Sequence, residues 1–520
     1  MRSLMPALAY TVDMRERTNE SYGVNETILA TAMAAIIFPI FGIQPLTIVG
    51  FTGLISLFNY TNYTIVAERH DVNYLQFQCW VYLWGAILHW IAAVFNMCDY
   101  TRFITDMTGQ AFGFYVGVVY ITKGIELLVL EFEPNKGAGW LSCFIAVVFS
   151  FTVYYGMKAG HGSWGPIWAR QFILDATFWA AIIWWSGFSN IPGNMKDTGL
   201  LYLPISKSFF PTLDRSWFIP FWELPVKWIF VALPFGLLLT LLFWFDHNVS
   251  SLLASARNFP VTRPSGYHWD FFLLGITTLI SGFLGLPAPN GLVPQAPDNT
   301  ESLSIREQLN KKDDDGEQEV RTTRVVEQRV SHLAIGLLTL GTMTRPLLVA
   351  LGTMPRAVFA GIFIVVGWGS VEGNMITQYT LFLLRDKDMT PDHHPLKHIK
   401  KTSVLRFVLV QWFVFAVAYA ISQTIAAIGF PVPYILLIPF RYFILPGWFT
   451  HEELAALDAP VANSAAVISS IGGDLDHIVG CPGGPLPEKY KIYSTGTENA
   501  DVPQDVPHST DYEKARTDGL

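Results

Sequence analysis

The feature that most limits what this chain can fold into is the recurrence of apolar stretches long enough to cross a membrane. After a partial stretch at residues 3–13 they fall at 25–42, 74–96, 110–131, 139–158, 173–191, 228–250 and 268–286. A second group follows at 332–352, 357–376, 404–425 and 430–448. A spanning helix needs roughly 20 apolar residues, so a chain with this many is built for a bilayer. The composition agrees: 51% of residues are hydrophobic and only 15% charged, with mean hydropathy +0.34, where a soluble protein carries about a quarter charged residues. The reading is an all-α integral membrane protein.

Several function classes drop out early. Cys79, Cys98, Cys143 and Cys481 form no CxxC pair and have no His at ligand spacing, which supports neither a zinc site nor a disulfide framework and reads them as packing residues. The net charge of -8 comes largely from a polar loop around Asp313 to Asp315 and from the tail, so nothing points to nucleic acid. No HExxH, GxSxG or His/Asp cluster lies in the helices, so an intramembrane enzyme lacks its nucleophile or metal. No metal or other cofactor is implied. The opening "MRSLMPALAYTVDMRER" offers about a dozen mostly apolar residues and no small-residue cleavage site. It reads as the outer half of a first helix whose beginning is missing.

Two apolar regions depart from the pattern. Residues 44–65 and 286–305 are broken by Gly and Pro, and non-helical backbone is tolerated at membrane depth only where protein or a water-filled cavity satisfies it. Each is the third element of a set of seven, and interruptions at matching positions are the sequence pointer to a transporter built from inverted repeats. Seven being odd, the second set runs the other way up. With the N-terminus inside, the short cytoplasmic loops hold about 17 Lys and Arg against about 8 outside, the sign expected of a cytoplasmic face. Within those loops residues 306–330 read as solvated loop, the tail 450–520 as mostly disordered beyond about Asp476, and "HEELAALDA", His451 to Ala459, as a short helix that either packs under the membrane domain or lies on the surface.

The interrupted segments place a candidate site. "PLTIV" and "NGLVPQ" are compatible with extended strands, and Gly50, Gly53, Pro294 and Pro297 mark where half-helices start. Two half-helix N-termini meeting near mid-depth present unpaired N–H groups and the positive ends of two macrodipoles, a setting that attracts a small anion. Thr52 and Ser56 would set selectivity on one half, and Gln295, Asp298 and Asn299 on the other. "FWFDHN" then supplies Asp246, a carboxylate after an apolar run and so a functional-site hypothesis by default. It would tune the field, carry a co-transported proton or cation, or bond a hydroxylated substrate. His247 points about 100° away and reads as a satisfied structural residue. Lys123 and Glu126, spaced i,i+3, read as a structural ion pair, Asp175 and Glu372 as helix-end residues, and Arg345 as the cap of a kink.

"FDHNVSSLLAS", "GFLGLPAPNGLVPQAPDNTESL", "QPLTIVGFTGLISLFNYT", "ITKGIELLVLEF" and "EQRVSHLAIGLLTLGTM" resemble the membrane domain of the bicarbonate transporter and anion exchanger family, in particular its borate-transporter branch from fungi and plants. The resemblance runs from about residue 4 to about 455. It implies the 14-element, 7+7 inverted-repeat transporter fold with core and gate domains, its two half-helices preceded by short strands. It divides the chain into core halves at 1–97 and 228–355, gate halves at 98–200 and 356–449, an extracellular loop at 201–227 and a cytoplasmic tail at 450–520. Asp246 falls at the family's acidic position beside the anion site. Gln295 falls where chloride/bicarbonate exchangers carry Arg, which favours a neutral or hydroxyl-rich substrate, since an amide both donates and accepts. The resemblance implies a homodimer joined through its gate domains, an elevator-type cycle and borate export across the plasma membrane, with the vacuolar membrane as the other location. Bicarbonate or another inorganic anion is the rival substrate.

Overall fold

The computed structural model describes residues 4–70, 72–133, 135–162, 165–193, 195–293, 295–312, 318–386, 395–424, 426–459, 461 and 465–472. The polar stretch Asp313 to Asp315, Pro294, and the tail beyond residue 472 lie outside them. The first half runs α1 (Leu4–Arg17), α2 (Val24–Phe41), β1 (Val49–Gly50), α3 (Gly53–His70), α4 (Tyr74–Val94), α5 (Asp106–Leu130), α6 (Lys136–His161) and α7 (Ile167–Ser189). A long loop then leads to α8 (Val226–Ala254), α9 (Tyr267–Leu284), β2 (Asn290–Gly291) and α10 (Gln295–Ser302). The hairpin β3 (Ser304–Lys312) and β4 (Gln318–Val325) follows. After it come α11 (Val330–Gly341), α12 (Arg345–Gly352), α13 (Arg356–Glu372), α14 (Met375–Leu384), α15 (Lys401–Ser422) and α16 (Val432–Phe443). Among the described residues seven helices are long and apolar enough to cross a membrane, or nine with the bent pairs α11–α12 and α13–α14 each taken as one span.

The two halves are inverted copies, and their packing shows it. α4 lies along α8 and α9, while its counterpart α11 lies along α2; α1 contacts α3 as α8 contacts α10; α5 lies along α13; and β1 pairs with β2 at the centre. This is the 7+7 inverted-repeat fold. Helix ends therefore gather at two faces, one carrying the β3–β4 hairpin and the other the long loop. On the long-loop face Glu26, at the start of α2, accepts from Thr212 N–H and Thr212 Oγ1, both at 2.7 Å. On the hairpin face Arg329 donates to Pro39 O at 2.9 Å and Ile43 O at 3.1 Å.

Three segments differ from the sequence-based expectation. The stretch 332–352 is two helices bent by 83°. α12 starts with Pro346 in its first turn, where a missing N–H costs nothing; the kink is where Arg345 marked it. The stretch 357–376 continues into α14, bent by 60° at a second break, where Asn374 caps α14 by accepting from Ile376 N–H at 2.9 Å. Residues 306–330, expected as solvated loop, contain most of an antiparallel hairpin in which Ser304 pairs with Val325. The β-branched residues Val320, Thr322, Thr323 and Val325 favour that state, a preference that the density of charge in the same stretch concealed.

The chain beyond α16 is pinned beneath the hairpin face. α17 (His451–Leu457) starts with a Thr450/Glu453 capping box, and Glu453 accepts from Ser403 Oγ at 2.8 Å. Just beyond it Asp458 takes Arg441 Nε at 2.5 Å and Met107 N–H at 2.8 Å. Both partners of the ion pair are buried, Arg441 at 1% and Asp458 at 0% exposure. A buried pair contributes little net stability, but removing one member strands the other, at a cost of about 3–5 kcal/mol. Arg441→Leu is therefore expected to lower the thermal midpoint in detergent sharply, and the double variant Arg441→Leu/Asp458→Asn, which keeps an acceptor for Met107 N–H, to recover most of the loss. A double variant no better than the single one would show that the pair is not the source of the effect.

Candidate functional site

The centre of the molecule is built by the β1–β2 crossing. Val49 pairs with Gly291 and Gly50 with Asn290, and Leu292 N–H bonds Ile48 O at 3.2 Å. Two extended segments that approach from opposite faces satisfy each other's backbone, so neither needs water. Beyond each strand the chain turns into a helix, α3 towards the long-loop face and α10 towards the hairpin face. Both helix N-termini thus sit at the level of the crossing.

Close packing demands glycine at two positions here. A Cβ on Gly53 would overlap the Tyr10 ring, and one on Gly291 would lie 2.9 Å from His247 Cα. Gly53 lets the Tyr10 ring rest on the start of α3, and Gly291 lets β2 lie directly on α8. That contact sets Asp246 against the strand: Asn290 Nδ2 donates to Asp246 Oδ2 at 2.8 Å, with Asp246 only 1% exposed.

Between these elements is a cavity of about 20 Å³, lined by Tyr10, Thr52, Gly53, Tyr120, Asp246 and Gln295 among others. That is room for about one water. Thr52 caps α3, its Oγ1 accepting from Ile55 N–H at 3.4 Å, and the N–H groups of a helix's first residues have no partner within the helix. Gln295 opens α10, its Nε2 donating to Tyr120 Oη at 3.4 Å while its buried Oε1 has no partner among the described residues. The cavity therefore offers a carboxylate, an amide, two phenols, a hydroxyl and two helix N-termini. Among the described residues that line it there is no Arg or Lys.

Not every expected residue converges there. Asp246, Gln295, Thr52 and Gly53 do. Gly50 is one strand residue back, in the crossing itself. Ser56 is buried one turn into α3, its Oγ bonding Tyr10 O at 3.4 Å. Pro297 and Asp298 line the neighbouring cleft on the hairpin side, and Asn299 Nδ2 reaches Leu46 O at 3.4 Å. Tyr10, Tyr120 and Asn290 were not singled out from sequence. Tyr10 and Tyr120 meet edge to face with ring centroids 5.1 Å apart, a contact between α1 and α5 that no spacing within either helix announces. His247 is fully buried against Phe38, and neither ring nitrogen has a partner among the described residues, so it is not the satisfied histidine expected.

The cavity lies between two larger clefts. On the hairpin face a cleft of about 920 Å³ descends past Arg257, Asp298 and Asn374 to Gln295. On the long-loop face one of about 470 Å³ descends past Glu68 and Thr64 to Tyr10 and Gly53. Its wall holds a charge network joining α1 to α5. Lys123 Nζ is 2.7 Å from Glu126 and 3.2 Å from Asp13, and Arg17 is 2.7 Å from Asp13 and 3.0 Å from Glu126. The pair expected from the i,i+3 spacing is one edge of a four-membered cluster.

The chain matches the family described as the HCO3- transporter integral membrane domain over residues 1–138 and 133–462. It belongs to that family. It is a multi-pass membrane protein of a transporter family, not of an enzyme family. It is 44% identical over 467 residues to a putative transporter of Schizosaccharomyces pombe, covering 88% of this chain and 89% of that one. It is 41% identical over 481 residues to Boron transporter 1 of Saccharomyces cerevisiae, covering 89% and 80%. In structure it is similar to the transmembrane domain of the cyanobacterial bicarbonate transporter BicA, with TM-score 0.52 and 14% identity over 79% of this chain and 93% of that one, a likeness of fold.

The seat of Tyr10 gives a test of the site's packing within this HCO3- transporter family member. Gly53→Ala forces the ring away from α3 and is expected to lower thermal stability by about 1–3 kcal/mol, as overpacking does. In a Tyr10→Ala background, which itself costs about 3–5 kcal/mol for the lost ring, Gly53→Ala should cost almost nothing further. The same cost for Gly53→Ala in both backgrounds would show that Gly53 is not there to seat the ring.

Proposed function

We propose that this protein is a secondary transporter that exports borate or boric acid across the plasma membrane, with the hairpin face cytoplasmic. The observation that carries the substrate reading is the cavity itself: donors and acceptors in mixture, a buried carboxylate and no lining cation. A hydroxyl-rich solute that is neutral or singly charged can both donate to Asp246 and accept from Gln295 and the helix N-termini. The naming of relatives supports it. A small inorganic anion of another kind, bicarbonate above all, is the alternative reading favoured by the family description. Seven polar groups around room for about one water leave a solute of four non-hydrogen atoms such as boric acid no space unless the walls part, which supports a cycle in which the site opens to one cleft at a time. We assign residues 1–97 and 228–355 to a core that carries the site, and 98–200 and 356–449 to a gate against which it moves, elevator fashion. A homodimer joined through the gate and a co-transported proton at Asp246 complete the reading.

The deciding experiment is boron content in yeast that lacks its own exporter and is loaded with borate. The wild type should lower cell boron and Asp246→Ala should not, with surface protein equal in both. Equal boron in both strains, together with a bicarbonate-dependent pH change in wild type only, would replace borate by bicarbonate. Gln295→Arg should shift preference towards anions that are fully charged at neutral pH; unchanged selectivity would remove that position from the substrate's contacts.

The α1–α5 charge network bridges the two proposed bodies on the long-loop side, so it should hold that cleft shut. Lys123→Met removes the cation shared by Asp13 and Glu126. A cysteine placed at Thr64 is then expected to react several-fold faster with a membrane-impermeant maleimide. An unchanged labelling rate would mean that the network does not cross a moving boundary.

A further inference from the structure

α15 and α16 do not close against each other along their outer side. Between them runs a groove of about 950 Å³, walled by Leu409, Phe413 and Val417 of α15 and Leu436 and Phe440 of α16. At its hairpin-face end stand Arg406 and Trp448. The walls are aliphatic and aromatic, and several project outwards: Leu409 is 55%, Phe413 69% and Leu436 60% exposed. In a spanning chain these side chains meet lipid rather than water. At 1.5 Å per residue the helix places Arg406 and Val417 about 16 Å apart, close to half of a hydrocarbon core of about 30 Å. The groove thus spans the depth of one leaflet.

Arg406 fixes which end of a lipid lies where. It is exposed on the outward side of α15, one and a half turns in from Lys401, and no carboxylate pairs with it among the described residues. An arginine on a lipid-facing helix side has to reach the headgroup layer or find an anion, and from this depth its stem can reach a phosphate. Trp448, its ring edge to face with Phe440 at 5.7 Å, occupies the interfacial level that indoles favour. The remaining requirement is an occupant with an apolar tail one leaflet long and a negatively charged head.

We infer that the α15–α16 groove binds an anionic glycerophospholipid of the hairpin-face leaflet, one acyl chain lying along Phe413 and Leu436 and the headgroup held by Arg406. The inference does not rest on which solute is carried, because the groove is separate from the central cavity and from both clefts.

Native mass spectrometry of the purified full chain, with phosphatidylserine and phosphatidylcholine of identical acyl chains, tests it. The wild type should retain phosphatidylserine over phosphatidylcholine by about fivefold, what one arginine contributes at an anionic headgroup. Arg406→Gln should bring the two lipids to near equality while the protein still elutes as a folded species. Leu436→Trp, which fills the groove, should lose both lipids. Retention of phosphatidylserine by Arg406→Gln at the wild-type ratio would overturn the assignment of the headgroup. Loss of a dimer on Leu436→Trp with lipid retention unchanged would overturn the inference and give the groove to a second copy of the chain.

Discussion

Everything at the centre of this molecule depends on a few backbone hydrogen bonds between two strands of two residues each. Inside a membrane protein an extended segment has no water to satisfy its amides, and a lone one would be costly. β1 and β2 avoid that cost by pairing with each other, Val49 to Gly291 and Gly50 to Asn290. The pairing also fixes depth. Since each strand leads into a helix within a few residues, locking the strands together locks both helix N-termini at one level, and the positive ends of both helices face the same small space.

What the space can bind follows from what surrounds it. A pair of helix N-termini is generic for anions; the side chains narrow the choice. Asp246 is held by Asn290 at 2.8 Å, a strand residue whose own backbone is in the crossing, so the carboxylate's position and the strand register are coupled. A change in one has to be felt by the other. This makes Asn290 a positioning residue for Asp246, and Gly291 its necessary neighbour, because a side chain there would lift β2 off α8.

The fold was legible in the sequence to the extent that periodic, local features specify it. Apolar length gave the spans, and Gly and Pro at matching places in two sets of seven gave the crossing and the inversion. Asp246, Gln295, Thr52 and Gly53 were legible because a carboxylate in an apolar run and residues at a helix start carry local signatures. Tyr10 and Tyr120 carried none: each sits in an apolar helix among other aromatics, and only the packing of α1 against α5 brings the rings together. The same holds for the charge network, where the Lys123–Glu126 spacing is visible in one helix but Asp13 and Arg17 come from another. The hairpin was not legible because the density of charge in that stretch outweighs its β-branched residues, although backbone pairing does not depend on side-chain charge.

The repeats are symmetric in backbone and unequal in chemistry, and the two properties answer different needs. Each repeat opens with a helix that gives the cavity one polar side chain, Tyr10 from α1 and Asp246 from α8, and each gives it one half-helix start, Gly53 and Gln295. An inverted pair of equal backbones has no preferred face, so the two conformations of the proposed cycle, related by the inversion, would be close in energy. Side chains that matched as well would extend that equality to the substrate's surroundings and give both clefts the same walls. Instead the cleft on the long-loop side is walled by a phenol and an ion-pair network, while the one on the hairpin side reaches Gln295 itself. In the alternating cycle proposed above, the side chains would therefore bias which of the two conformations the empty protein prefers, without touching the backbone symmetry that would make both of them reachable.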